Sequence, residues 1–366
     1  RHQSSQPAAR SGRRPVKNRP SHGTVRCRSS PSPGPTRHAR RHRQTRRGGP
    51  LWIFPLKPVQ LGNTDLWVSR LGLGTVQLGM AYGYDNEPPP ADSDAIYLIR
   101  HALDLGINFI DTAAKYGRSE TLVGMACAEL SPKPIIATKL SITNSADGKF
   151  LTGDALRQVI EQSLQHSLQT LKLDALDLLQ LHSLQRRFAT PELLAILDDY
   201  RDRGWVRYWG VTTYGVEAPL DALEFPERFC SLQVPYSALD RRMEPQVLPR
   251  AQAQGAGVIL RSVFLQGVLS DRLNALPPHL ADLQNLAAPL AQLAREAGLG
   301  LGELALRFAA FSPCAHSTIF GTTSIDELEA NTRAIAAGPL PQELVAAVRA
   351  IEITDPTLLD PSNWQR

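Results

Sequence analysis

From Leu71 onward, eight short apolar runs alternate with stretches whose apolar residues recur every three or four positions. The runs fall at 71–75, 107–111, 134–139, 175–181, 205–211, 229–235, 257–262 and 317–321. Near-continuous apolar runs of this length fit strands buried on both faces, as in a parallel sheet. Helical patterns separate them at 92–105, 119–130, 153–170, 190–202, 216–223 and 245–254, with a pair at 281–297 and 302–311 before the last run. In the stretch 153–170, Leu156, Ile160, Leu164 and Leu168 hold one face apolar. Eight βα units predict an α/β fold closed as a (β/α)8 TIM barrel, since an open doubly wound sheet more often has fewer strands. Ahead of the first run, VQLGNTDLWVSR (59–70) reads as a β-hairpin around Gly62 and Asn63, placed to close the barrel bottom. Patterns at 324–336 and 341–352 add extra C-terminal helices outside.

Several runs end in reactive groups. NFIDTAAKYGRSE (108–120) surfaces at Asp111 and carries Tyr116 on the following loop; IIATK ends on Lys139 and LDLLQLH on His182. In a barrel the carboxyl ends of all strands open on one face, so these four side chains converge. A phenol with its ordinary pKa of ~10 is a poor acid at neutral pH, and an ammonium held beside it by a carboxylate would lower it. An imidazole alongside donates to an oxygen that gains charge. Taken singly, each residue has an ordinary explanation: a core or surface histidine, a solvated lysine or tyrosine, an aspartate capping a turn. The conjunction on separate strand ends favours catalysis. Gly72, Gly74 and Gly79 miss the G-x-G-x-x-G spacing, and no helix is expected directly after them, which argues against a dinucleotide fingerprint.

Charge is divided sharply along the chain. Residues 1–50 hold 14 Lys and Arg and no acid, so the rest of the chain has 26 bases against 35 acids. The formal charge of +5 therefore does not describe the barrel, and no nucleic-acid partner is expected. The leader lacks helical or strand periodicity and is expected to be disordered. It suits either an organelle transit segment or residues foreign to the native protein, and it interleaves no aromatic to stack on bases. Residues 51–366 are left as one barrel domain. Cys27, Cys127, Cys230 and Cys314 are too dispersed for a disulfide framework or a metal site, so reduced thiols and a cytoplasmic setting are expected. No apolar run approaches the ~18 residues of a membrane span.

From about residue 56 to its end the sequence resembles the aldo-keto reductases, through NFIDTAAKYG, IIATK, LLQLH, WGVTT, SLQVPYS, RSVFLQGVLS and IFGTTSIDELEAN. LGTVQLGMAYGYDN and LLDPSNW resemble a bacterial branch often found beside sugar-modifying genes. The resemblance implies hydride transfer between NAD(P)H and an aldehyde or ketone. Tyr116 would be the proton donor, Lys139 and Asp111 its supporting pair, and His182 a donor to the carbonyl oxygen. Thr75, Thr212 and Thr213 would join the cofactor set, the last two standing where the family usually has Ser and Asn. Gln233 matches the amide that reads the nicotinamide carboxamide, and Arg261 occupies the place of a stacking tyrosine. Ser262, Phe264, Gln266 and Gly267 would wrap the pyrophosphate; Gly321, Thr322, Thr323, Glu327 and Asn331 would lie toward the adenosine. NADP-preferring relatives often carry Lys or Arg in that last stretch, and its absence here implies NAD use or dual specificity. Tyr82 and Tyr84 are expected to line a pocket for a polar carbonyl such as a sugar. The alternative reading is a nicotinamide-binding regulatory subunit with little turnover. No metal is expected, nor any partner beyond the small substrate, and the chain should be a monomer or weak oligomer.

Overall fold

A two-residue ladder begins the fold. In the computed structural model, which describes residues 56–364 other than 84, 144–148 and 354, β1 (Val59–Gln60) pairs antiparallel with β2 (Trp67–Val68). Then follow β3 (Leu71–Gly74), α1 (Val76–Gly79), α2 (Asp92–Asp104), β4 (Phe109–Asp111), α3 (Ser119–Cys127), β5 (Ile135–Leu140) and α4 (Gly153–Leu171). The alternation continues through β6 (Leu176–His182), α5 (Pro191–Asp202), β7 (Val206–Thr212), α6 (Glu217–Ala222), β8 (Phe229–Pro235), α7 (Val247–Gln254) and β9 (Gly257–Arg261). It ends with α8 (Ala281–Glu296), α9 (Leu301–Ala310), β10 (Ser317–Gly321), α10 (Ile325–Ala336) and α11 (Gln342–Arg349). Strands β3 to β10 are all parallel and close into a barrel, β10 returning to β3 with Gly321 beside Gly74. The described residues belong to one compact unit, and the Arg-rich leader lies outside them.

The hairpin acts as a plug. Its Leu61, Leu66 and Val68 are buried with Phe109, Ala137, Leu178, Ile259 and Ile319 inside the barrel. The larger apolar layer lies between barrel and helices, where Leu156, Ile160 and Leu164 of α4 are fully buried, each contributing roughly 1.5–3 kcal/mol.

Three of the boundaries that differ from the periodic reading bear on the packing. Four residues directly after β3 form α1. Helix α3 stops at Cys127, three residues early, with Pro132 close behind and biasing the backbone before it away from helix. Helix α11 ends at Arg349, because Ile351 and Ile353 turn back onto the core and Arg241 takes the freed carbonyls of Val348 and Ile351 at 2.8 and 2.7 Å.

Side chains alternate along a strand, so a residue two beyond an interior one also faces the barrel axis. Asp111 lies two beyond Phe109, Lys139 two beyond Ala137, Gln180 and His182 two and four beyond Leu178, and Arg261 two beyond Ile259. Apolar side chains thus fill the lower barrel, and polar ones its carboxyl end.

Candidate active site

At the centre of that polar layer Lys139 Nζ meets Asp111 Oδ2 at 2.5 Å and donates to the Thr112 carbonyl at 3.0 Å. Both partners are almost wholly buried, at 4 % and 5 % exposure, so the pair must offset the loss of water from two ions. Two amides help: Gln233 Nε2 and Gln180 Nε2 donate to Asp111 Oδ1 at 2.7 and 3.3 Å. The ammonium lies 4.9 Å from the centroid of the Tyr116 ring. Tyr116 meets His182 edge to face, with ring centroids 6.5 Å apart.

A knot of hydroxyls holds the Tyr116 loop to the strand ends. Thr75 Oγ1 donates to the Asp111 carbonyl at 2.9 Å and lies 2.6 Å from Ser119 Oγ, which in turn is 2.8 Å from Thr112 Oγ1. Gly79 packs directly under this loop: a Cβ there would sit 2.0 Å from the Tyr116 carbonyl oxygen. The hydroxyl of Thr75 is therefore engaged within the protein, although the residue borders the cavity.

Burial sets the titration of the cluster. It pulls the Lys139 ammonium down, but Asp111 and Tyr116 together outweigh that pull and hold it above its ordinary value, so Lys139 stays cationic. Burial pushes the Tyr116 phenol up, with Lys139 opposing. The lowered phenol expected from the sequence is thus not found, because desolvation exceeds the attraction of the ammonium. His182 is pulled down from 6.5 to about 4, by burial first and then by Lys139, Lys115 and Arg261, and is neutral at pH 7.

That shift carries a stability consequence. Between pH 6.5 and about 4 the unfolded chain binds a proton at His182 that the folded chain does not, so stability is complete above this window and falls as pH drops through it. The full loss is about 3 kcal/mol. His316 is also depressed and adds in the same direction. Denaturant melts across this pH range should show a shallower slope in His182→Gln than in wild type; parallel slopes would contradict the assignment.

The four side chains form the floor of a cavity of about 620 Å³. Its wall includes Thr75, Thr212, Gln233 and Arg261 near the floor, then Ser262, Phe264, Gln266 and Gly267 on the loop after β9. At the far side stand Gly321, Glu327 and Asn331. Three residues named from the sequence are not on the wall. Thr213 is buried with its hydroxyl unpartnered, and its carbonyl accepts from Arg261. Thr322 is buried and hydrogen-bonded to Glu327, while Thr323 is exposed. Tyr82 lines the cavity, and Tyr84 lies outside the described residues.

Other wall residues were not anticipated. Gln77 reaches over Gly321, Tyr214 faces Arg261, and Asp85 and Glu87 of the first loop meet Arg272 at 3.3 and 3.4 Å. Gln180, which donates to Asp111, was also missed; its place two residues before His182 is the signal that turns it inward. Ser183, Ser262, Leu265 and Gln266 all adopt positive φ on the loops after β6 and β9. Each such residue costs of order 1–3 kcal/mol, so strain is concentrated around this cavity. Among the described residues no group of His, Cys, Asp and Glu could hold a metal ion, and no helix is long and apolar enough to cross a membrane.

Fold and floor together define a (β/α)8 barrel with an acid–base face at the carboxyl ends of its strands. The chain belongs to the Aldo/keto reductase family, whose sequence profile matches residues 70–353. This is a family of oxidoreductases that act on carbonyl compounds with a nicotinamide cofactor. The chain is 29 % identical to L-galactose dehydrogenase of Arabidopsis thaliana, over 80 % of this chain and 92 % of that one. It is 31 % identical to the NADH-specific methylglyoxal reductase of Escherichia coli (strain K12), over 59 % and 69 %. The aldo-keto reductase AKR11C1 from Bacillus halodurans, in its holo form, superposes with a TM-score of 0.69 at 28 % identity, covering 82 % of this chain and 97 % of that one.

Proposed function

We propose that this protein reduces a polar aldehyde or ketone, a sugar in the first instance, with NADH preferred or with both nicotinamide cofactors used. The observation that carries this reading is the buried Asp111–Lys139 pair set against Tyr116 and beside neutral His182 on the floor of the cavity. The cavity suits a dinucleotide: it runs from this floor along the loop after β9 to α10, and it presents the amide of Gln233 and the guanidinium of Arg261. Gln233 Nε2 is committed to Asp111, which leaves its oxygen for a carboxamide N–H. Thr212 and Ser262 add hydroxyls nearby, while Phe264, Gln266 and Gly267 border the stretch toward the phosphates.

A bound nicotinamide supplies the hydride, and the residues manage the proton and the charge. Tyr116 gives its proton to the oxygen that gains charge, and Lys139 stabilises the phenolate left behind. Asp111 keeps Lys139 in position, and His182 donates to the same oxygen. The raised pKa of Tyr116 makes it a weaker acid, which the basicity of the developing alkoxide must offset. It keeps the phenol protonated at pH 7, and an alkoxide is a far stronger base than a phenolate.

The turn before α10 supports the cofactor preference. Ser324 caps the helix by accepting from the Glu327 N–H at 3.3 Å, while Thr322 Oγ1 accepts from the Ser324 N–H at 3.0 Å and donates to Glu327 Oε2 at 2.5 Å. Asp326 and Glu327 both lie in the first turn, so a 2′-phosphate would meet carboxylates rather than a cation. A missing charge-assisted bond is worth about 1.5–3 kcal/mol, roughly 10- to 150-fold. NADPH should therefore bind no more tightly than NADH, and Glu327→Arg should raise NADPH affinity by roughly 10- to 100-fold. Parallel titrations measure both, and tighter NADPH binding by the unmodified protein would reject this preference.

Tyr82, Asp85 and Glu87 of the first loop border the cavity and offer polar partners to a polyhydroxylated substrate. The relative named for L-galactose supports a sugar. NADH consumption across a panel of aldoses, small aldehydes and bulky apolar ketones tests the class. Turnover confined to the last group would overturn the sugar reading.

A further inference from the structure

Of the cations lining the cavity, Arg261 is the one without a carboxylate partner among the described residues. Lys139 is paired with Asp111, and Arg272 with Asp85 and Glu87. The Arg261 guanidinium is nevertheless held firmly. Nη2 donates to the Thr213 carbonyl at 2.9 Å, Nη1 to Ser262 Oγ at 3.1 Å, and its Cζ lies 4.4 Å from the Tyr214 ring centroid. Projecting from the end of β9, it faces the same space as Thr212 and Gln233. The charges of Asp111 and Lys139 cancel and His182 is neutral, so among the residues lining this end of the cavity Arg261 supplies the net positive charge.

We propose that Arg261 is a charge filter for the oxidation state of the cofactor, favouring the neutral dihydronicotinamide over the cationic nicotinamide. This rests on the reading that the nicotinamide end occupies the floor beside Tyr116 and His182. A hydride can pass only if its donor lies against the carbonyl that these two residues polarise, which places the ring on the wall Arg261 shares. The field of Arg261 reaches that far, since it helps to depress His182 and opposes the rise of Tyr116. Pinned by Thr213 and Ser262, the guanidinium cannot relieve the repulsion cheaply by turning away. Arg261 thus favours loading of the neutral reduced cofactor and weakens retention of the oxidised product, while opposing the positive charge that the ring gains as the hydride leaves.

The test is calorimetric titration of the full chain with NADH and with NAD⁺, for wild type, Arg261→Met, Arg261→Gln and Arg261→Lys. The ratio of the two dissociation constants is the readout, because loss of a purely structural contact weakens both forms alike. In wild type NAD⁺ should bind the more weakly. Removing the charge should shrink the ratio by about tenfold or more, since two unit charges about 12 Å apart at an effective dielectric near 20 already repel by about 1.4 kcal/mol, and nearer ones by more. Arg261→Lys should keep it. Arg261→Gln retains a donor for the Thr213 carbonyl and serves if the methionine variant does not fold. Binding of both forms with a ratio that Met and Gln leave unchanged overturns the filter and leaves the proposed reductase standing. Failure of wild type to bind either form overturns the reductase reading together with the filter.

Discussion

Tyr116→Phe should lose carbonyl reduction almost completely while NADH still binds within about twofold of wild type. The substitution removes one hydroxyl from a ring that keeps its packing against His182 and its place over the Lys139 ammonium. General acid catalysis contributes about 10²- to 10⁴-fold, and no other residue on the floor can replace the lost proton. Lys139 is tied to Asp111 and Thr112, and His182 is neutral, so its N–H is a very weak acid. Single-turnover mixing of the NADH complex with an aldehyde measures the step directly. A rate within tenfold of wild type would remove Tyr116 from the role of proton donor.

The elements behind this prediction were legible to different depths. All eight strands were visible, because strands buried on both faces must be written in unbroken apolar residues. Barrel closure then places Asp111, Lys139 and His182 together, whatever the loops do. Gln180 was harder to read: a single glutamine inside LDLLQLH looks like a blemish until alternation along the closed barrel turns it toward Asp111. The work of Thr75 depends on Ser119, 44 residues away, and no local pattern records that contact. The Arg261–Tyr214 stack and the Arg272 contacts with Asp85 and Glu87 depend on loop paths, which periodicity does not constrain. The pKa of Tyr116 was misjudged for a related reason. The nearby cation can be inferred from spacing, whereas the degree of desolvation opposing it is a property of the finished fold.

Stability and activity should part company at the ion pair. Lys139→Met leaves the Asp111 carboxylate buried with the amides of Gln180 and Gln233 but no cation, and breaking such a pair on one side costs about 3–5 kcal/mol. Asp111→Asn leaves the opposite charge, a buried ammonium near Tyr116, and should be destabilising for the same reason. The double variant Asp111→Asn/Lys139→Met has no ion to desolvate. It should regain most of the lost stability, because replacing a whole buried pair is often close to neutral. Reduction should not return with it, since the phenolate formed at Tyr116 would have no cation to stabilise it. Urea midpoints for the four proteins, with turnover measured on the same samples, make the comparison. If the double variant is as unstable as the sum of its parents, the pair is not the coupled unit described here. If it regains activity along with stability, Lys139 serves the fold and not the chemistry.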